Sequence, residues 1–125
     1  MMLEINGTDI RMTRGNTAYL DITPLNEGGQ PIVLGEGDRV IFKVKSPFGE
    51  TKLTRILDSS CYTDAEDTSV NLMLIPDDTL SMRTGLYLYD CILIFADGQA
   101  YTFISESRFE LMPAIATVKD VDADG

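Results

Sequence analysis

The chain has 125 residues, 44% of them hydrophobic, and sets ten Lys and Arg against twenty Asp and Glu, for a formal net charge of −10. At this length one hydrophobic core is expected, and so acidic a balance disfavours nucleic acid and anionic membranes as partners. The complete lack of histidine removes Ser-His-Asp and Cys-His nucleophilic machinery and imidazole zinc sites.

No run reaches the roughly twenty apolar residues needed to span a bilayer, and Met1–Asn6 has no basic segment followed by a long apolar one, so no signal peptide is visible. Two cysteines, Cys61 and Cys91, are too few for a disulfide framework. They are expected to be packing thiols in a reducing compartment.

Alternation with period two dominates the chain from its N-terminal end. Ile10 and Met12 alternate with polar neighbours up to a turn at Arg14-Gly15-Asn16, and Ala18, Leu20 and Ile22 then mark a strand with one buried face. A Gly-rich loop, Asn26 to Gln30, precedes a short apolar segment, Ile32 to Leu34, and a second turn at Gly35-Glu36-Gly37-Asp38. Val40, Phe42 and Val44 form the next strand, closed by Ser46-Pro47-Phe48-Gly49. Leu53 to Leu57 pairs back as a short strand, a polar loop follows from Asp58 to Ser69, and Val70, Leu72 and Leu74 restore the alternation up to Pro76.

Asp77 to Arg83 carries the one helical signal: two aspartates at its start suit unpaired amides, and Gly85 suits its end. Leu86 to Phe95 reads as a long central strand with apolar residues on both faces. An Asp-Gly hairpin turn at Ala96-Asp97-Gly98 returns it into Gln99 to Ser105. Arg108 to Met112 continues after a break, and the pattern is lost from Pro113.

This grammar predicts an all-β fold: an immunoglobulin-like, two-sheet antiparallel β-sandwich of about seven or eight strands, forming one domain over residues 1–115. Residues 116–125 read as an acidic disordered tail. The predicted core holds Leu20, Ile22, Val40 or Ile41, Phe42, Val44, Leu72, Leu74 and the strand from Tyr89 to Leu93. Lys52 to Leu57 and Arg108 to Met112 are the expected edge strands.

Few residues point to chemistry. Asp120-Val121-Asp122-Ala123-Asp124-Gly125 matches only the opening half of a calcium loop, without its bidentate Glu, so no metal site is expected. The glycine pairs are not followed by Gly-Lys-Ser/Thr, so no phosphate loop is expected either. No enzyme activity and no cofactor are expected. Tyr19, Phe48, Tyr62 and Tyr101 are candidates for an exposed aromatic platform, with strand propensity as the plainer explanation for the tyrosines. Pro47 and Phe48 combine a rigid turn with an aromatic and are the predicted partner contact.

The stretch Gly85-Leu86-Tyr87-Leu88-Tyr89-Asp90-Cys91 resembles the immunoglobulin strand in which a tyrosine precedes the second cysteine by two residues. That resemblance assigns the structural tyrosine corner to Tyr89. On a wider scale the chain resembles the N-terminal domain of baseplate upper proteins and related small β-domains of tailed phages and prophages of Gram-positive bacteria. The resembling pieces are Asp9 to Ala18, Gly37 to Ser46, Gly85 to Asp90, and Ala96-Asp97-Gly98 with a last strand ending in Phe109-Glu110-Leu111. The resemblance implies a non-catalytic virion structural or accessory module, located in the virion or the host cytoplasm. Its partners would be other tail or baseplate proteins or further copies of itself, with no nucleic acid and no membrane. The competing class is a surface module binding carbohydrate or peptide.

Overall fold

A computed structural model of the chain describes residues 3–62 and 69–117. The Asp120–Asp124 run and most of the expected tail lie outside the described residues.

Each alternating run becomes a strand because its apolar side chains can all turn to one face. Among the described residues the strands are β1 (Leu3–Asn6), β2 (Asp9–Thr13), β3 (Ala18–Ile22), β4 (Arg39–Lys45), β5 (Thr51–Leu57), β6 (Val70–Leu74), β7 (Gly85–Ile94) and β8 (Ala100–Met112), with one short α-helix, α1 (Pro76–Leu80), and a 3-10 turn at Ser59–Cys61. They form a six-stranded sheet in the order β1-β2-β8-β7-β4-β5 and a two-stranded sheet of β3 and β6. The β2–β8 ladder is parallel, pairing Ile10 with Phe109, whereas the other ladders are antiparallel. The result is a sandwich-like, mostly β fold.

The two sheets close over one core. Val40, Phe42, Val44, Cys91, Leu93 and Phe109 from the large sheet are fully buried with Val70 and Leu74 from the small one. Phe42 stacks tilted against Tyr89 at 5.1 Å between ring centroids and edge-on to Phe109 at 6.3 Å. The predicted core positions are buried except within Tyr89 to Leu93, where Tyr89, Cys91 and Leu93 turn inward and Asp90 and Ile92 are only half-buried on the other face. At the Val40/Ile41 pair Val40 takes the inner face and Ile41 the outer one.

Three loops share one construction. In Asn26–Gln30, Ser46–Glu50 and Phe95–Gln99 the fourth residue is a glycine whose N–H donates to the first residue's carbonyl, while the first residue's N–H bonds the fifth residue's carbonyl. Those glycines, Gly29, Gly49 and Gly98, have φ of 78°, 89° and 94°, a left-handed conformation that costs a residue without Cβ nothing.

The structure departs from the sequence reading at several elements. Arg108 to Met112 is not an edge strand: it is the second half of β8, held between β2 and β7. The polar stretch Ser105-Glu106-Ser107 that reads as a strand end is an irregularity inside the ladder, where Glu106 adopts φ 49° and its N–H donates to the Asp90 carboxylate. Lys52 to Leu57 does lie at an edge, within β5. Ile32 to Leu34 makes no strand. Its neighbourhood contributes a single bridge, Leu25 to Pro31, and Leu34 is buried as a plug.

The helix starts at Pro76 and ends at Leu80, short of Arg83. Proline fits the first turn of a helix, where its missing N–H is not needed, and the Asp78 carboxylate accepts the Ile75 N–H just ahead of it. β1 went unforeseen because only one of its residues turns even partly inward.

Removing the ring at the centre of this core should be the costliest single change. Phe42→Ala is expected to destabilise by about 3–5 kcal/mol, whereas Ile56→Ala, on an exposed site of β5, should stay within about 0.5 kcal/mol. Equilibrium urea unfolding of both variants measures the contrast.

Candidate interaction surface

The β4–β5 turn carries the predicted contact residues outward. Phe48 is 97% exposed, because the turn geometry spends its hydrogen bonds on backbone and leaves the side chain at the tip. Beside it runs an open groove of about 470 Å³ between this turn and the corner Ser81–Tyr87, with Lys52 and Arg83 on its wall. Lys52 also pairs with Glu50 at 3.1 Å. Pro47 and Phe48 are thus brought together with the corner leading into β7, which the sequence alone did not connect to them.

That corner is fixed by a tyrosine other than the predicted one. The Tyr87 hydroxyl donates to the Arg83 carbonyl, four residues upstream, at 2.7 Å. Tyr89 instead reaches past β8 to the β1–β2 turn of the same sheet and donates to the Thr8 carbonyl. The two-residue spacing to Cys91 selects Tyr89, but hydroxyl reach selects Tyr87, which stands at the start of β7. Arg14 braces the same end, its guanidinium donating to the carbonyls of Leu80 and Met82. Gly15 packs so closely on Leu80 that an added Cβ would stand 2.9 Å from it. The Gly15 N–H donates to buried Thr79 at 2.7 Å.

A second cavity of about 340 Å³ lies under the β1–β2 turn, lined mainly by apolar residues that include Ile5, Leu20, Phe42, Tyr89, Phe103 and Ile104. It opens where β8 extends past the end of its pairing with β2 and where β3 has a ladder partner, β6, on one side only. Its carboxylate, Asp21, accepts from the Asn71 side chain at 3.1 Å. The lining offers an apolar side chain room but brings no acid and base together.

The remaining candidates are dispersed. Among the aromatics, Tyr19 is exposed on β3, opposite Met73 of β6. The Tyr62 hydroxyl accepts the Leu34 N–H at 2.8 Å, and Tyr101 stacks edge-on with Phe95 at 5.9 Å. They form no common platform. No group of three or more His, Cys, Asp or Glu able to hold a metal occurs among the described residues.

Both cysteines are free thiols, Cys61 half-buried and Cys91 buried. Burial, with Asp90 adding to it, pushes the Cys91 thiol up to about 12. Burial also raises Tyr89 above its ordinary range, with Cys91 and Asp9 contributing in the same direction.

No family model matches the chain, and neither a curated protein nor a solved structure matches it at a significant level.

Two measurements follow from these groups. In the fold Cys91 and Tyr89 keep their protons, while in the unfolded chain a thiol ionises near 9.0 and a tyrosine near 10.0. The unfolded state therefore releases protons first as pH rises, and the melting temperature should fall progressively above about pH 9. With a thiol reagent at pH 8, Cys61 should react first and Cys91 only at the rate of unfolding, because its sulfur is fully enclosed. Equal rates for the two would contradict the packing around β7.

Proposed function

We propose that this chain is a non-catalytic, immunoglobulin-like module that works through protein–protein contact, with the Pro47–Phe48 turn as its anchor. The carrying observation is Phe48: a large aromatic, 97% exposed, on a rigid turn beside a groove that could receive a partner's side chains. Buried aromatic anchors dominate binding energy at interfaces, and an aromatic left in water at a turn tip costs solubility without helping the fold. The immunoglobulin-like reading is supported by the strand order, with β2 running parallel to β8 and the chain then crossing to the second sheet at β3.

The biological setting comes from the sequence resemblance. On that footing the module belongs to a tailed-phage or prophage particle, as a structural or accessory part of tail or baseplate assembly. The carbohydrate-binding alternative is less well supported, since the aromatics that would form its platform are scattered over different elements.

Phe48→Ala tests the anchor. The melting temperature should be unchanged, because the side chain is outside the core, while capture of virion proteins from a phage lysate by the immobilised chain should drop at least about tenfold. Unchanged capture would remove this turn as the contact. Mass spectrometry of purified virions tests the setting independently: finding the chain at a fixed stoichiometry supports a structural part, and finding it only in the lysate supports an accessory one.

A further inference from the structure

Charge is not spread evenly along the strand axis. One end of the sandwich, formed by the loops before β4, after β5 and between β7 and β8, carries Glu27, Glu36, Asp38, Asp58 and Asp97, with Arg39 as its cation. The opposite end, holding the β4–β5 turn and the corner before β7, presents Lys45, Lys52, Arg83 and Arg14, against the carboxylates of Glu50, which pairs with Lys52, and of Asp77 in α1. Among the described residues Lys45 and Arg83 have no ion-pair partner. In a chain with a net charge of −10, this basic end is the exception, and its natural complement is the acidic end of the same fold.

The apolar groups match as well as the charges. At the acidic end a shallow depression of about 430 Å³ is lined by Asp38, Phe95, Ala96, Asp97 and Gln99. Its floor is preorganised. Asp38 accepts the N–H groups of both Gly35 and Ala96, at 2.8 and 2.9 Å. Gly37 packs where an added Cβ would stand 2.9 Å from the Ala96 Cβ. Phe95 is steadied edge-on by Tyr101. Val33, 63% exposed, stands on a neighbouring loop of the same end.

We infer that the partner of the Phe48 contact is a second copy of this chain, seated head to tail, with Phe48 of one copy entering the Phe95–Asp97 depression of the next. The inference rests on the reading of the Pro47–Phe48 turn as a contact and names its occupant. Because the two matching surfaces lie at opposite ends of the strands, the interface is heterologous, and repetition gives a ring where the rotation closes and a stack where it does not. A standard interface takes about 800 Å² from each partner, roughly a tenth of the 7568 Å² this chain exposes, so both ends can be engaged at once.

Sedimentation velocity on the full chain tests this. At about 20 mM salt the sedimentation coefficient should rise with concentration, and at about 0.5 M salt it should return to the monomer value, since screening shortens the range of charge attraction to a few ångströms. K52E/R83E reverses the basic end and E27K/E36K the acidic end; these side chains lie outside the core, so melting curves should overlay wild type. Each variant alone should be monomeric, which contact between two like ends would not give, since only one of the two variants would then alter the interface. An equimolar mixture should associate again through the unaltered acidic end of one and the unaltered basic end of the other. Phe48→Ala should weaken self-association at least about tenfold.

Wild type that stays monomeric at low salt, association indifferent to salt, or a mixture that remains monomeric would each overturn the head-to-tail inference. If wild type is monomeric while Phe48→Ala still abolishes capture of another virion protein, the second copy is overturned and the contact reading stands. If wild type associates and Phe48→Ala changes nothing, Phe48 is not the anchor and both fall together.

Discussion

The contact between Phe42 and its two aromatic neighbours, Tyr89 and Phe109, is the constraint on which the rest of the fold hangs. The three rings come from β4, β7 and β8, adjacent strands at the middle of the large sheet. A slip of one residue in any of those ladders would carry a ring to the solvent face. Once they are buried together, the inward positions of Val40, Val44, Leu93 and Leu111 are settled, and the small sheet can lay Leu20, Leu72 and Leu74 over them. The hydroxyl of Tyr89 then ties this cluster to the β1–β2 turn at Thr8, where Thr8 and Ser107 share a hydrogen bond of 2.6 Å.

The two ends of the sandwich are finished by different means. At the end bearing the Gly35–Asp38 turn and the Phe95–Gln99 loop, a single carboxylate, Asp38, joins the two segments through backbone N–H groups. At the other end the work is done by side chains that reach carbonyls: Arg14 to Leu80 and Met82, and Tyr87 to Arg83. Arg55 adds an ion pair to Asp78 of α1, which fastens the helix beneath the edge strand β5. These arrangements leave the loop tips free of structural duty, so that an exposed Phe48 can be kept or lost with little consequence for the core.

Much of this was legible from residue order. The alternating runs located seven of the strands, because a half-buried strand must alternate, and the predicted core residues were those that alternation turned inward. Legibility failed where a residue's role depends on a distant partner. Nothing local in Leu3-Glu4-Ile5-Asn6 announces a strand. β1 exists because β2 offers it an edge, with Leu3 opposite Met12. The stretch Ser105-Glu106-Ser107 looks like a break, yet β7 continues alongside and absorbs it as a bulge. In a one-dimensional reading the spacing to Cys91 selects Tyr89 over Tyr87, and only the position of the Arg83 carbonyl reverses that choice. The groove beside Phe48 joins residues far apart in the chain, so Phe48 could be singled out from its turn but Arg83 could not.

The parallel pairing of β2 with β8 also bears on how the chain acquires its structure over time. Ile10 meets Phe109, so nearly the whole domain must be present before one of its central ladders can form. Closing so long a loop delays the reward of the contacts it brings. During synthesis at about 5–20 residues per second, β3 to β7 emerge and can pair among themselves while the inner side of β7 still lacks its neighbour. For those seconds the strand that will hold Tyr87, Tyr89 and Cys91 has an open flank. Its alternating tyrosines, leucines and isoleucines make it the segment most exposed to mispairing with another nascent chain.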